Sequence, residues 1–331
     1  MILLSIVVIG NQAEESLRDC LSSCLSMHMS EGVLEVIYID AKASSQNIAI
    51  ARELGVRTLI LKDTNASQAH CKNLALKAAS GEFVFFISPK SIIHPDFGMR
   101  AIEEFKEMSV GIVIGSVREL NPARSLYCSI VDLQLRRLEG LLPYVSGDMV
   151  LRKSSLDDVG GFDERLNGSE TEDISYRLHK KGWLLRSLDV PMSLINSRID
   201  TVCQCVQEAY AKGYTYAPLF GKYQAEPSPC PKDLLLSPLR FAWIFVLSVI
   251  CPFVLSFIFP AHAGAFFVVF ILLFSLGFLF LAVRFYLFTS LVEESRILRF
   301  WYTLHHFVVS LPITLGWLAY SLDQLIGRKR S

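Results

Sequence analysis

From Leu3 to Leu188 the chain alternates short apolar runs with longer stretches whose apolar residues recur at helical spacing. Leu3 to Ile9, Leu34 to Ile39, Arg57 to Leu61 and Glu82 to Ile87 read as strands. Glu14 to Met27, Asn47 to Leu54 and Gln68 to Ala79 read as the helices between them. Strands separated by helices of about ten residues predict βαβ units and an α/β fold, a doubly wound, mostly parallel, Rossmann-like sheet. The run ending at Ile87 is bounded by Ser80-Gly81 and Pro89, as expected of a strand buried on both faces. Ser88-Pro89-Lys90 then falls beyond its carboxyl end, where open α/β sheets place their ligands.

The same alternation continues with an amphipathic helix at Phe97 to Met108 and a strand at Val110 to Ser116. After the break at Asn121-Pro122 a helix is expected from Ser125 to Leu141, then a strand MVLRK following Gly147-Asp148 and another at Trp183 to Leu188. An amphipathic helix from Ile199 to Lys212 could pack on the globular part or lie at a bilayer surface.

Pro227, Pro229 and Pro231 mark a linker, which divides the chain into a domain over 1–225, a linker over 226–237 and a membrane region over 238–331. Residues 239–259 and 265–283 are long and apolar enough to form a transmembrane hairpin around Pro260 to Gly264. Residues 304–322 are a third span, or a re-entrant or surface helix, because His305, His306, Pro312 and Gly316 interrupt their apolar character. The paired histidines are read as interface-facing imidazoles before they are read as metal ligands.

Composition sharpens this division. Of 331 residues 52% are hydrophobic, and the excess lies at the carboxyl end. From Pro238 onward there are seven Lys/Arg and three Asp/Glu, so the zero net charge combines a mildly acidic front part with a basic tail. No basic block interleaved with aromatics points to nucleic acid. The eight cysteines have neither CxxC nor His/Cys ligand spacing and are read as reduced, packed thiols. MILLSIVVIG has no basic n-region and is read as the first strand, not as a leader.

Two acidic features could carry chemistry. Asp40 closes the second strand, where it could accept hydrogen bonds from a nucleotide or equally cap the next helix. Glu170-Thr171-Glu172-Asp173 precedes the helical run Ile174 to Leu178, and acids there also favour a helix start with no chemistry at all.

The segments SIVVIGN, EVIYIDAKASSQNIAIARELGVR and NASQAHCKNLALKAASGEFVFFISPKSIIHPDF resemble the nucleotide-binding half of family 2 glycosyltransferases, which have the GT-A fold. SGDMVLRKSSLDDVGGFDERLNGSETEDISYRLHKKGW resembles the acceptor-side half. The resemblance implies a nucleotide-sugar donor, with Asp40 at the base and Asn11, Lys72, Ser88 and Lys90 on the donor side. It implies a general base at an Asp of a Glu-Asp pair. A literal match makes that pair Glu172 and Asp173. Counting back from Arg177-Leu178 makes it Glu170 and Thr171, with threonine where the base belongs. Asp173 is the favoured reading, on the ground that one turn of slippage could bring either acid to the same opening.

The family carries an Asp-x-Asp where this chain has Ser88-Pro89-Lys90, so a divalent metal is not expected to be tightly held. Lys72 and Lys90 could neutralise the leaving diphosphate in its place, or the site could have decayed. The resemblance therefore implies a sugar transferred to a lipid-linked or envelope-polysaccharide acceptor by a protein anchored in the inner or plasma membrane, its catalytic domain on the cytoplasmic side. The rivals are a catalytically silent binding or scaffold subunit and, more remotely, a small transporter.

Overall fold

A strand in the middle of a sheet covered on both faces must be apolar on both, which explains why β1 (Leu3–Gly10) and β4 (Phe83–Ile87) are almost continuously apolar and buried. The structure, a computed structural model, describes residues 3–10, 15–29, 32–42, 44–61, 66–227, 231, 239, 250–251, 253–289 and 295–327. The other strands are β2 (Val33–Asp40), β3 (Arg57–Ile60), β5 (Ser91–Ile93), β6 (Val110–Glu119), β7 (Gly140–Leu141), β8 (Met149–Arg152) and β9 (Leu184–Ile195). Among the described residues they form one sheet in the order β3-β2-β1-β4-β8-β6-β9-β5, with β7 beside β9.

The half from β3 to β4 is parallel throughout, as the alternation predicts. Beyond it the sheet is mixed, because β8 runs antiparallel to both β4 and β6, while β6 and β9 are parallel. The expectation of a mostly parallel doubly wound sheet therefore holds for the first half and is corrected to a mixed sheet for the second. The joint between the halves is the β4–β8 pair. It brings Gly147-Asp148, just before β8, to the turn after β4.

Helices α1 (Leu17–Leu25), α2 (Ser45–Glu53), α3 (Gln68–Ala78), α4 (Phe97–Glu104), α5 (Leu126–Leu135) and α6 (Glu170–Lys180) accompany the sheet. Ser44, Ser67 and Ser125 each cap a helix by accepting a backbone N–H bond, from Asn47, His70 and Cys128. Arg152 is buried against the stacked rings of Phe83 and Phe105 and donates to the Phe105 and Val110 carbonyls. The arginine of MVLRK therefore serves the core.

The chain divides into two compact units, Met1–Arg198 with Gly221–Pro231, and Ile199–Phe220 with Lys232–Arg330. The second contains most of α7 (Val202–Lys222), with α8 (Ala263–Thr289) and α9 (Arg296–Ile326). Helix α7 continues through Pro218 for ten residues beyond the expected Lys212. The expected span 239–259 lies largely outside the described residues, and those at 265–283 and 304–322 fall within α8 and α9. Among the described residues no helix is long and apolar enough to cross a membrane.

Within the second unit α7 meets α9 through glycines. A Cβ on Gly213 would strike the Ile313 carbonyl, and one on Gly316 would strike the Tyr210 carbonyl. Nearby, the Tyr214 hydroxyl donates to Asp323 at 3.2 Å. Alanine is favoured over glycine inside a helix by about 1 kcal/mol, so any destabilisation by Gly213→Ala or Gly316→Ala must come from the lost close approach. Both variants are expected to lower the thermal midpoint of the full chain by several degrees. Gly221→Ala, on the same helix with nothing within 4 Å of the added Cβ, is expected to leave it unchanged or raised.

Candidate active site

The turn Ser88 to Ser91 is held by Asp148, an acid not singled out in the sequence. Ser88 N–H donates to Asp148 Oδ1 at 2.8 Å, and the Ser91 hydroxyl donates to Oδ2 at 2.8 Å. Gly147, with φ of +83°, turns the chain so that the carboxylate reaches the neighbouring strand's end. Burial pushes the Asp148 carboxyl above the ordinary range, against the pull of its two serine bonds and of the Lys72 and Arg137 charges. Cys20 Sγ and Ser16 Oγ brace the same turn through the Ser88 and Pro89 carbonyls. The Lys90 side chain is half-buried and its ammonium has no ion pair among the described residues.

This donor set does not suit a divalent ion. Magnesium or manganese wants hard oxygen ligands in an open arrangement, whereas Asp148 has both oxygens engaged and Lys72 and Arg137 close enough to act on its charge. Among the described residues no group of three or more His, Cys, Asp or Glu is placed to hold a metal.

Lys72, on α3, stands over the rings of Phe86 and Phe162, 5.9 and 5.4 Å from their centroids. Its ammonium donates to Glu170 Oε1 and to Thr171 Oγ1, both at 2.8 Å. The other Glu170 oxygen accepts from Gly168 N–H at 2.6 Å. Burial pushes the Glu170 carboxyl up, but the Lys72 charge and hydrogen bond outweigh it and hold the group below its ordinary value. Helix α6 begins at Glu170, so all its acids lie in the first turn.

Asp173 has a different set of partners. It is fully buried, and one oxygen takes the Tyr223 hydroxyl at 2.7 Å and the Lys222 ammonium at 2.5 Å. The other is gripped by Arg177 at 2.7 Å. Lys222 also bridges to Asp163 at 2.8 Å, which Arg165 and Lys222 together hold well below the usual carboxylate range. Burial and the Asp173 bond push the Tyr223 hydroxyl well up, keeping it a neutral donor. As placed, Asp173 is the centre of a clamp that fastens the end of α7 to α6, with no oxygen left uncommitted. Glu172 is buried beside it and has interactions of its own.

Asp40 is likewise occupied. One oxygen accepts from the backbone N–H groups of Lys42 and Ser44, and the other from the Tyr38 hydroxyl at 3.0 Å. It shapes the loop leading into α2, the alternative left open by its position, and a direct contact to a nucleotide base would require one of these bonds to be exchanged. Asn11 lies outside the described residues. The structure thus brings Lys72, Ser88 and Lys90 to one end of the sheet with Glu170 and Thr171, and gives Asp173 other work.

A mixed sheet whose first half is parallel, with a turn braced by a buried acid beyond β4, is consistent with the GT-A fold. Residues 5–159, just under half of the chain, match the profile of Glycosyl transferase family 2. The poly-beta-1,6-N-acetyl-D-glucosamine synthase of Staphylococcus epidermidis is 32% identical over 181 residues, covering 50% of this chain and 43% of the relative. The synthase of the same name from Staphylococcus aureus strain COL is 28% identical over 188 residues, covering 52% and 44%. The chain therefore spans less than half the length of the curated relatives it matches. Among solved structures, the mannosyltransferase PcManGT from Pyrobaculum calidifontis, in complex with GDP-Man and Mn2+, superposes with a TM-score of 0.60 at 15% identity, covering 97% of this chain and 87% of that one. That likeness supports the fold.

Two measurements check the electrostatics of α6. Asp173→Asn leaves Lys222 and Arg177 facing a neutral amide, and the loss of one partner from so buried a cluster is expected to cost about 3 kcal/mol in chemical denaturation. Glu170 has a folded pKa below the unfolded value near 4.5, so its contribution is complete above that pH and is lost as the pH falls through the folded value. The wild-type melting temperature is expected to fall more steeply below about pH 4.5 than that of Lys72→Met, which lacks the charge that depresses Glu170.

Proposed function

We propose that this protein transfers a sugar from a nucleotide-sugar donor to a glycan or lipid-linked acceptor, with fixed cations in place of an Asp-x-Asp metal. The observation that carries this reading is the exchange of charge at the carboxyl end of β4. Where the resemblance leads one to expect carboxylates, the chain sets Lys90 in the turn and Lys72 and Arg137 close enough to act on Asp148. A departing nucleoside diphosphate gains negative charge as the glycosidic bond breaks. Ammonium groups already in position stabilise that charge without reorganising. Asp148 holds the turn and Asp40 holds the loop beside the donor.

Membrane attachment with the globular part on the cytoplasmic side belongs to the same proposal. Its support is sequence: the 27 residues AGAFFVVFILLFSLGFLFLAVRFYLFT of α8 carry one charge, Arg284. Nucleotide sugars made in the cytoplasm would reach the donor site directly from that side.

A second reading has a specific observation in its favour. Glu170 and Asp173 are both committed to ion pairs, as expected of a silent relative that binds a nucleotide sugar for a larger assembly. The purified full chain, incubated with labelled nucleotide sugars and membrane extract, is expected to transfer sugar at a rate unaffected by EDTA. Lys90→Ala is expected to lower that rate at least tenfold, equivalent to ~1.4 kcal/mol of transition-state stabilisation. Loss of turnover on chelation, restored by magnesium, would overturn the metal-free reading. Donor binding with no turnover would establish the silent subunit.

A further inference from the structure

Resting on the transferase reading, we infer that Glu119, at the end of β6, is the base that takes the acceptor's proton, in place of an aspartate on α6. An acceptor hydroxyl gives up its proton as it attacks, and the group that receives it needs an oxygen not already holding donors. Glu170, Asp173, Asp148 and Asp40 each hold donors on both oxygens. Glu119 does not. Its side chain is buried, Oε2 accepts from Ser197 N–H at 3.1 Å, and Oε1 has no hydrogen-bond partner among the described residues. Such an oxygen is costly to bury, and a base that must stay free to accept a proton accounts for it.

The sheet register sets Glu119 on the side of the donor turn. Ser91 pairs with Ile195 and Ile195 with Glu119, and residues paired across strands share a face of the sheet. On that face the Ser91 hydroxyl bonds Asp148, so Glu119 faces the same side as the acid that anchors the turn. Two strand spacings, roughly 10 Å, separate Glu119 from Ser91. In an in-line displacement the base on the attacking oxygen and the cation on the leaving group stand on opposite sides of the anomeric carbon. Contacts of about 3 Å along that line set them on the order of 10 Å apart. Ser193, in the adjacent row of the same face, has a buried hydroxyl that is also unpartnered among the described residues and can orient the acceptor.

The strap 196–198, after β9, lies against Glu119. It is held at three points, by Asn196 N–H on the Lys90 carbonyl at 3.1 Å, by Ser197 N–H on Glu119, and by Arg198 on Glu15 at 2.9 Å. Arg198 has φ of +55°, a conformation costly to a residue with a side chain. Displacing the strap uncovers Glu119 and relieves that strain, and its bond to the Lys90 carbonyl ties the movement to the donor turn. In the step itself, a lone pair on the acceptor oxygen forms the bond to the anomeric carbon while the hydroxyl proton passes to Glu119 Oε1. The bond from that carbon to the diphosphate breaks, its electron pair leaves with the nucleoside diphosphate, and Glu119 then returns the proton to water.

The full-length chain in detergent, with labelled UDP-GlcNAc or GDP-Man and membrane extract as the source of acceptor, tests the assignment. Glu119→Gln is expected to lower turnover about a hundredfold with the donor KM unchanged. Its thermal midpoint is expected to be unchanged or raised, because a buried charge gives way to a neutral amide. Glu119→Ala is expected to be equally slow and to regain about tenfold in sodium formate, the small carboxylate standing where the side chain was. Full turnover by Glu119→Gln overturns the assignment and leaves the transferase reading standing. So does a loss of turnover with a lowered midpoint that formate does not restore, which marks a structural acid. No transfer by the wild-type chain from either donor overturns both.

Discussion

The arrangement of the site depends on one buried carboxylate, Asp148. It sits at the joint where the parallel half of the sheet gives way to the mixed half, and it ties the two together through Ser88 and Ser91. A strand pair alone would set β4 beside β8 but would not fix the turn that follows β4. With Asp148 in place the turn has both a backbone and a side-chain anchor, and Lys90 projects from a fixed base. The burial that pushes this carboxyl up is countered first by the Ser91 and Ser88 hydrogen bonds and then by the charges of Lys72 and Arg137. The charge exchange at the β4 turn is therefore a connected change, with a buried anion behind the cations.

That connection bears on whether the turn has merely eroded. Loss of a metal motif by drift requires only that two carboxylates disappear. Here the same region has a lysine in the turn, a second lysine held over two aromatic rings, and a guanidinium within electrostatic reach. A desolvated ammonium is costly unless something offsets it, and Glu170 does so for Lys72.

Much of the fold was legible because burial imposes a simple pattern. The apolar runs at Leu3, Leu34, Glu82 and Val110 had no other plausible reading, and the observed strands fall on them. The shorter strands were not legible. Three residues at Ser91–Ile93 and two at Gly140–Leu141 have no periodicity to detect, and both exist only because β9 offers them an edge. For the same reason α5 stops at Leu135, short of the expected Leu141: Gly140, with φ of +135°, turns the chain into the β7 pairing. In the sequence Gly147-Asp148 reads only as a strand start. The positive φ at Gly147 that aims the carboxylate was hidden, although a glycine before a buried acid at a sheet joint is the signal that could have found it.

The acids of α6 illustrate a stricter limit. One turn of slippage is expected to bring either acid, Glu170 or Asp173, to the same opening. At about 100° per residue Glu170 and Asp173 diverge by only about 60°, whereas Thr171 and Asp173 lie on nearly opposite sides of the helix. Lys72 collects Glu170 and Thr171 together, which fixes the face turned toward the β4 end, and Asp173 is left to Arg177 on its own helix and to Lys222 and Tyr223 some fifty residues further along the chain. No spacing rule could have anticipated partners so distant in sequence. Asp173, the aspartate of the literal Glu-Asp match, fastens the helix, while Glu170 and Thr171 share the Lys72 ammonium.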